Sequence, residues 1–107
     1  MRFLPTVDFN KAAKKLYKKY PSIFNDLDKL FEELNQNPFK GDPLGDNSYK
    51  VRMAITSKGK GKSGGVRVIT CVKVVNDAIH LLTIYDKSEI ENLSDEYLNE
   101  LRKSIEL

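Results

Sequence analysis

Two aliphatic stretches, Val66–Val75 and Ala78–Tyr85, stand almost back to back in this chain, separated only by Asn76 and Asp77. Both are rich in β-branched residues, which favour extended backbone, and Asn-Asp is a pair suited to a hairpin turn. A half-buried strand alternates polar and apolar residues; these two carry apolar side chains on both faces at several positions. Strands of that kind belong in the middle of a sheet.

A third strand precedes them. Tyr49, Val51, Met53 and Ile55 alternate with Lys50, Arg52 and Thr56, a period-two pattern with one basic face. Ser57 to Gly65 is a glycine-lysine loop leading into the first aliphatic stretch. The chain opens on a short extended segment, Phe3 to Phe9, which Pro5 confines to a sheet edge. Asp8 or Asn10 is placed to cap the helix that follows, in which Ala12, Ala13, Leu16, Tyr17 and Tyr20 recur at helical spacing. Lys11, Lys14, Lys15, Lys18 and Lys19 surround them. Pro21 ends that helix. Ile23, Phe24, Leu27, Leu30, Phe31 and Leu34 form the cleanest amphipathic stripe in the sequence, so the two helices make a hairpin with one apolar face. Residues 37–47, dense in Pro, Gly, Asp and Asn, read as a connecting loop. Ser94 caps a last helix whose apolar side is Tyr97, Leu98, Leu101 and Ile105.

This order predicts an α+β fold in a single domain spanning residues 1–107. An antiparallel sheet, built from the N-terminal strand and a three-strand meander, packs against the helical hairpin, with a short C-terminal helix after it. Alternation sends Lys50, Arg52 and Arg67 to the face away from the apolar set.

The length and a composition of 40% apolar and 31% charged residues exclude wholesale disorder. Cys71 is the only cysteine and His80 the only histidine, which excludes an internal disulfide and any Cys- or His-pair metal site. No metal and no cofactor is expected. No apolar run approaches membrane-spanning length and the N-terminus lacks a signal core, so the expected location is the cytoplasm, without membrane contact. Charge is unevenly spread: residues 40–73 carry eight basic and two acidic side chains, whereas residues 74–107 carry three basic and eight acidic. A basic middle points to a polyanion, because clustered cations gain from counterion release at phosphates.

Two phosphate motifs are decoys. Gly59-Lys60-Gly61-Lys62-Ser63-Gly64 has the letters of a dinucleotide fingerprint and an echo of a P-loop, but both require a strand before and a helix after. This loop leads into a strand, and the P-loop's first glycine would fall on Thr56. What remains is a loop able to bring Lys58, Lys60 and Lys62 to a phosphate backbone. His80, mid-strand beside Leu81 and Leu82, reads as a core or edge residue, and Cys71 as a small buried hydrophobe.

The surviving constellation is Arg52, the loop lysines, Arg67, Tyr85 and Lys87. In a meander the end of the first strand, the start of the second and the end of the third meet at one end of the sheet. Cations and a phenol suit RNA cleavage by its own 2′-hydroxyl, which needs a base, charge stabilisation at the phosphorane and an acid for the leaving 5′-oxygen. Lysine or tyrosine serves as base if nearby cations depress its pKa, and arginine clamps phosphate.

Lys58 to Ile69 (KGKGKSGGVRVI), followed by Leu81 to Glu89 (LLTIYDKSE), resembles the HigB-like branch of the RelE/ParE toxin superfamily. Phe9–Pro21 and the segment from Asn37-Pro38 through Leu44-Gly45 fit it as well. The resemblance implies a type II toxin: a metal-independent endoribonuclease that cuts mRNA on the translating ribosome. It also implies neutralisation by a cognate antitoxin, a helix-turn-helix protein, with operator DNA reached only through that antitoxin. Carried over by motif, Arg52, Lys60, Lys62, Arg67, Tyr85 and Lys87 form the catalytic set, with Lys50 and Lys58 as further RNA contacts. Some ribosome-dependent members place a base-stacking tyrosine beyond the last cation; residues 88–93 hold no aromatic, so either Tyr85 supplies the ring or stacking is weaker. The competing readings are a ParE-like or non-catalytic toxin that binds a protein such as gyrase, and a plain RNA-binding domain.

Overall fold

The computed structural model describes residues 1–58 and 65–105. In chain order the elements are β1 (Arg2–Pro5), α1 (Val7–Lys19), α2 (Ile23–Gln36), β2 (Asp42–Gly45), β3 (Ser48–Met53), β4 (Val66–Lys73), β5 (Ala78–Asp86) and α3 (Asp95–Lys103). Single 3-10 turns occupy Thr56–Lys58 and Val74–Asn76. The five strands form one sheet in the order β1-β5-β4-β3-β2, so the two aliphatic strands are central, as their apolar faces require.

Helices cover the sheet on both sides. Phe9, Ala13 and Leu16 of α1 and Ile23, Leu27, Leu30 and Leu34 of α2 pack on Val51, Met53, Val66, Val68, Val72, Ile79, Leu81 and Ile84. On the opposite face a smaller cluster joins Ile69, Cys71, Leu82 and Tyr85 to Leu98 and Leu101 of α3. Burying each large aliphatic side chain contributes about 1.5–3 kcal/mol, so the hairpin face holds most of the apolar stabilisation.

Four details depart from the sequence reading. β1 runs parallel to β5, not antiparallel, which makes the sheet mixed. Four residues cannot set their own direction; Thr6 does, its N–H donating to the Leu81 carbonyl (3.1 Å) and its hydroxyl to the Leu82 carbonyl (2.8 Å). Thr6 rather than Asp8 or Asn10 caps α1, accepting from the Phe9 N–H at 3.0 Å. The presumed loop 37–47 contains β2, paired with β3 through a turn at Asp46 and Asn47, whose φ angles of 51° and 58° are left-handed. Asp and Asn tolerate that region, and two such residues in succession make the turn that matches strand twist. Finally β4 ends at Lys73, because Val74–Asn76 form the 3-10 turn and Asp77 takes φ 50° to enter β5.

β5 also carries a bulge. The β4–β5 register steps from Ile69↔Thr83 to Thr70↔Leu81, leaving Leu82 as the extra residue.

Candidate nucleic-acid interface

Strand register assembles the site. Arg52 of β3 lies opposite Arg67 of β4, and Arg67 lies opposite Tyr85 of β5. Directly opposed residues on neighbouring strands share a face and stand about 5 Å apart, so these three side chains form one row across the sheet. Ile69 and Cys71, which follow Arg67 at intervals of two, pack beneath α3; the row therefore lies on the α3 side of the sheet. Lys50 stands one step along the same face, opposite Ile69. Lys87 follows β5 directly and its N–H reaches the Gly65 carbonyl at 3.4 Å, beside Arg67.

The members differ in exposure. Arg52 is 56% exposed and reaches Asp42 at 3.8 Å, and Lys87 is exposed. Arg67 is only 4% exposed, one of its Nη atoms donating to the Val66 carbonyl at 3.2 Å, and Tyr85 is 5% exposed. Burial pushes the Tyr85 phenol above its ordinary value, and the positive charge of Arg67 opposes that without reversing it. The depressed pKa that a tyrosine base needs is therefore absent. Tyr85 is a protonated donor at neutral pH. Lys58 begins the loop from the Thr56–Lys58 turn, while Lys60 and Lys62 lie outside the described residues.

Three supports went unread in the sequence. Asp26, buried in the first turn of α2, accepts hydrogen bonds from the Thr56 N–H (3.0 Å), the Thr56 hydroxyl and the Ser22 hydroxyl (2.9 Å). Burial raises its pKa, but these bonds from Thr56 and Ser22 outweigh it and hold the carboxyl below its ordinary value. They fasten the entry of the glycine-lysine loop to α2. Asp86, the acid between Tyr85 and Lys87, points to the opposite face. There it accepts from the Tyr20 hydroxyl at 2.6 Å and from Lys19 at 3.4 Å, and it caps the following turn through Ser88. Arg102 of α3 donates to the Ser48 hydroxyl and to the carbonyls of Leu44 and Gly45, pinning α3 to the β2–β3 hairpin. Their partners, Thr56 for Asp26, Tyr20 for Asp86 and Ser48 for Arg102, lie 30 or more residues away, beyond what local spacing can signal.

The loop exit is equally constrained. A Cβ placed on Gly65 would come within 2.1 Å of the Met53 carbonyl oxygen, so the chain closes against the end of β3 only because residue 65 has no side chain. Gly65→Ala is expected to cost about 2 kcal/mol through backbone displacement. A thermal melt checks it: an unchanged midpoint would mean the two backbones separate freely.

His80 lies five residues along β5 from Tyr85, so it stands about 16 Å from the row. Burial chiefly, with Lys73 and Arg2, pushes its imidazole below the ordinary value, so it adds no cation at neutral pH. Among the described residues no three His, Cys, Asp or Glu side chains are grouped to hold a metal ion. Also among them, no helix is long and apolar enough to cross a membrane. One cleft of about 450 Å³ lies away from the row, between Leu4–Asp8, His80 and Ile105, and another of about 520 Å³ reaches Thr83, two residues before Tyr85.

A family model described as the RelE toxin of the RelE/RelB toxin-antitoxin system matches residues 1–106. Among solved structures, the E. coli toxin RelE in the free state, as a double arginine-to-alanine mutant, is similar with a TM-score of 0.62. It is 16% identical, and the match covers 98% of this chain and 97% of that one. Identity that low bears on the fold alone.

Proposed function

Since the chain belongs to the RelE toxin family, and so to the toxins of type II toxin-antitoxin systems, we propose that it is an endoribonuclease that cuts mRNA held on the translating ribosome. The observation that supports this reading is the cross-strand row of Arg52, Arg67 and Tyr85 with Lys87 at its end. No base stronger than lysine accompanies it. A set of this kind depends on a substrate already held in reactive geometry, which the ribosome supplies for the message.

In the proposed reaction a lysine amine of the set takes the proton of the 2′-hydroxyl as that oxygen attacks the adjacent phosphorus, and the bond to the 5′-oxygen breaks. Arg67 and Arg52 neutralise the charge that builds on the phosphorane oxygens. Tyr85, protonated in its buried position, donates a proton toward the leaving oxygen, and Lys87 adds charge from the rim. The loop lysines Lys58, Lys60 and Lys62, with Lys50, hold flanking phosphates. A cognate antitoxin of the helix-turn-helix kind, and placement in the HigB-like branch, belong to this proposal. So does action in the cytoplasm.

Tyr85→Phe keeps the ring packed on Leu82, Leu98 and Leu101 while removing the donor. It is expected to cut cleavage about a hundredfold with little change in melting temperature. Equal cleavage by the variant would assign Tyr85 to the core alone.

The reading as a whole is tested by inducing the chain without antitoxin and mapping mRNA 5′ ends. New ends inside translated frames are expected, with naked RNA left intact. Growth arrest with intact messages would point instead to a bound protein target such as gyrase.

A further inference from the structure

The row occupies the α3 side of the sheet and leaves the outward side of the helical hairpin unaccounted for. Large aromatic rings are exposed there for no reason of folding. Tyr17 of α1 and Phe24 of α2 are both exposed, and their ring centroids stand 5.3 Å apart. Further along, Phe31 stacks on Phe3 at 4.7 Å, both only half-buried. A cleft of about 290 Å³ opens between these rings, Phe9 and Asp28. Together they form an apolar seam between α1 and α2. Single exposed apolar residues need no explanation, but a line of aromatics is what anchors a protein partner.

Charge indicates which partner. At about 100° per residue from the stripe that α1 buries, its outward arc carries Lys11, Lys14 and Lys18, all exposed. The outward arc of α2, reckoned in the same way, carries Asp28 and Glu32, also exposed. The exceptions turn aside. Asp8, the one acid of α1, stands on the flank toward α3 and accepts from the Tyr97 hydroxyl at 3.3 Å. Lys29, the one cation of α2, stands on the far flank beside Asp26. Among the described residues none of Lys11, Lys14, Lys18, Asp28 and Glu32 is in an ion pair. The face is therefore a cationic bank and an anionic bank on either side of an aromatic seam.

Such a face complements itself. A two-fold axis parallel to the seam lays the α1 bank of one copy on the α2 bank of another and brings the seams together. An axis across the seam would oppose lysine to lysine and acid to acid. The levels match as well. α1 runs from Thr6, bonded to Leu82, to Tyr20, bonded to Asp86; α2 starts beside Thr56 at that end of the sheet and returns to Met1 at the other. From the touching Tyr17 and Phe24, Lys14 lies about 4.5 Å back along α1 and Asp28 about 6 Å onward along the antiparallel α2. Rotation about the seam keeps those levels, so each Lys14 meets Asp28 of the other copy, and the two Tyr17–Phe24 pairs meet at the axis.

We propose that the outward face of the α1–α2 hairpin pairs with a second copy of this chain, giving a two-fold layer of four helices with the sheets outside it. The rows, on the far side of each sheet, stay uncovered. Pairing therefore does not depend on what the row does.

The test uses the full chain carrying Arg67→Ala, so that cells tolerate it, and reads its mass by sedimentation equilibrium from about 1 to about 300 μM. The parent is expected to double its mass reversibly across that range. Lys14→Glu and Asp28→Lys each set like charges against the other copy, and each is expected to weaken pairing at least about tenfold. Mixed in equal amounts, these two variants carry opposite charges at both contacts and are expected to pair with each other about as well as the parent with itself. A change within either chain's own fold cannot produce that rescue. Phe24→Asp is expected to leave a monomer; melting curves establish that each variant is folded, and Phe24→Ser takes its place if the aspartate unfolds the hairpin. A parent that stays monomeric throughout would overturn the proposal, as would pairing indifferent to all three substitutions, or mixed variants that remain apart. So would loss of antitoxin capture by Phe24→Asp in a chain that never pairs, which would give this face to the antitoxin.

Discussion

Arg67→Ala is expected to lower ribosome-held mRNA cleavage by about 10²–10³-fold and to abolish growth arrest. Arg67 is central in the row, with Arg52 on one side and Tyr85 on the other. At 4% exposure its charge is poorly screened by water, so its field at a phosphate beside it is stronger than that of a surface cation. Its guanidinium also holds two oxygens at once. Arg67→Lys keeps the charge without the fork and is therefore expected to recover only part of the activity. Yield of new mRNA 5′ ends reads the chemistry, while thermal melts and co-purification with the antitoxin read the fold. Full toxicity of the alanine variant at equal expression would remove this arginine from the mechanism.

The second large effect is on stability. Asp86→Ala is expected to cost about 3 kcal/mol and to lower the melting temperature by on the order of 10 °C. The carboxylate has no exposed side-chain surface, and its removal leaves the buried Tyr20 hydroxyl without this acceptor and undoes the Ser88 cap. The Lys19 ion pair adds little to that figure, since Lys19 is 49% exposed and screened. A cycle with Tyr20→Phe distinguishes the parts: the double variant is expected to be less destabilised than the two single losses added together. Strict additivity would mean that the 2.6 Å contact carries no energy of its own. Because Asp86 sets the turn that follows it, the variant should also lose activity through the placement of Lys87.

Much of this architecture was legible because it rests on periodicity. The stripe from Ile23 to Leu34, the alternation from Tyr49 to Ile55 and the two-faced stretches Val66–Val75 and Ala78–Tyr85 all announce what they bury, though the first of these strands stops at Lys73. The Ser94 cap was readable for a local reason, a hydroxyl three residues before the N–H it accepts from. Thr6 was missed although it makes the same kind of bond, because Asp8 and Asn10 are equally good caps by type and only the chain's turn out of β1 selects between them. β2 was missed because Asp42-Pro43-Leu44-Gly45 has turn composition; its strand character comes from pairing with β3, not from its own residues. The Asp46-Asn47 pair was the available signal.

For the site, alternation alone placed Arg52 and Arg67 on a common face. It could not reveal that both Arg67 and Tyr85 are buried, since that depends on long-range packing, which for Tyr85 includes Leu98 and Leu101 of α3. The raised pKa of Tyr85 follows from this burial, so the depression by neighbouring cations that a tyrosine base would require is not found there. The reason for a glycine at position 65 was not legible either: the space a side chain would take is filled by the Met53 carbonyl, a partner set by the β3–β4 pairing.

The bulge at Leu82 governs which residues of β5 stand in the row with Arg67. Counting by twos from Ile79, which faces the helical hairpin, an unbroken strand would turn Tyr85 toward that hairpin and Asp86 toward the row. The one extra residue between the Thr70↔Leu81 and Ile69↔Thr83 pairs reverses the phase. Tyr85 then stands beside Arg67 and Asp86 beneath Tyr20. A single-residue deletion in this stretch would exchange the two, setting a carboxylate among the arginines and a phenol in place of the buried acid. Loss of one residue between His80 and Tyr85 is therefore expected to disturb the row more than a substitution there, because it changes the phase of every side chain that follows on the strand.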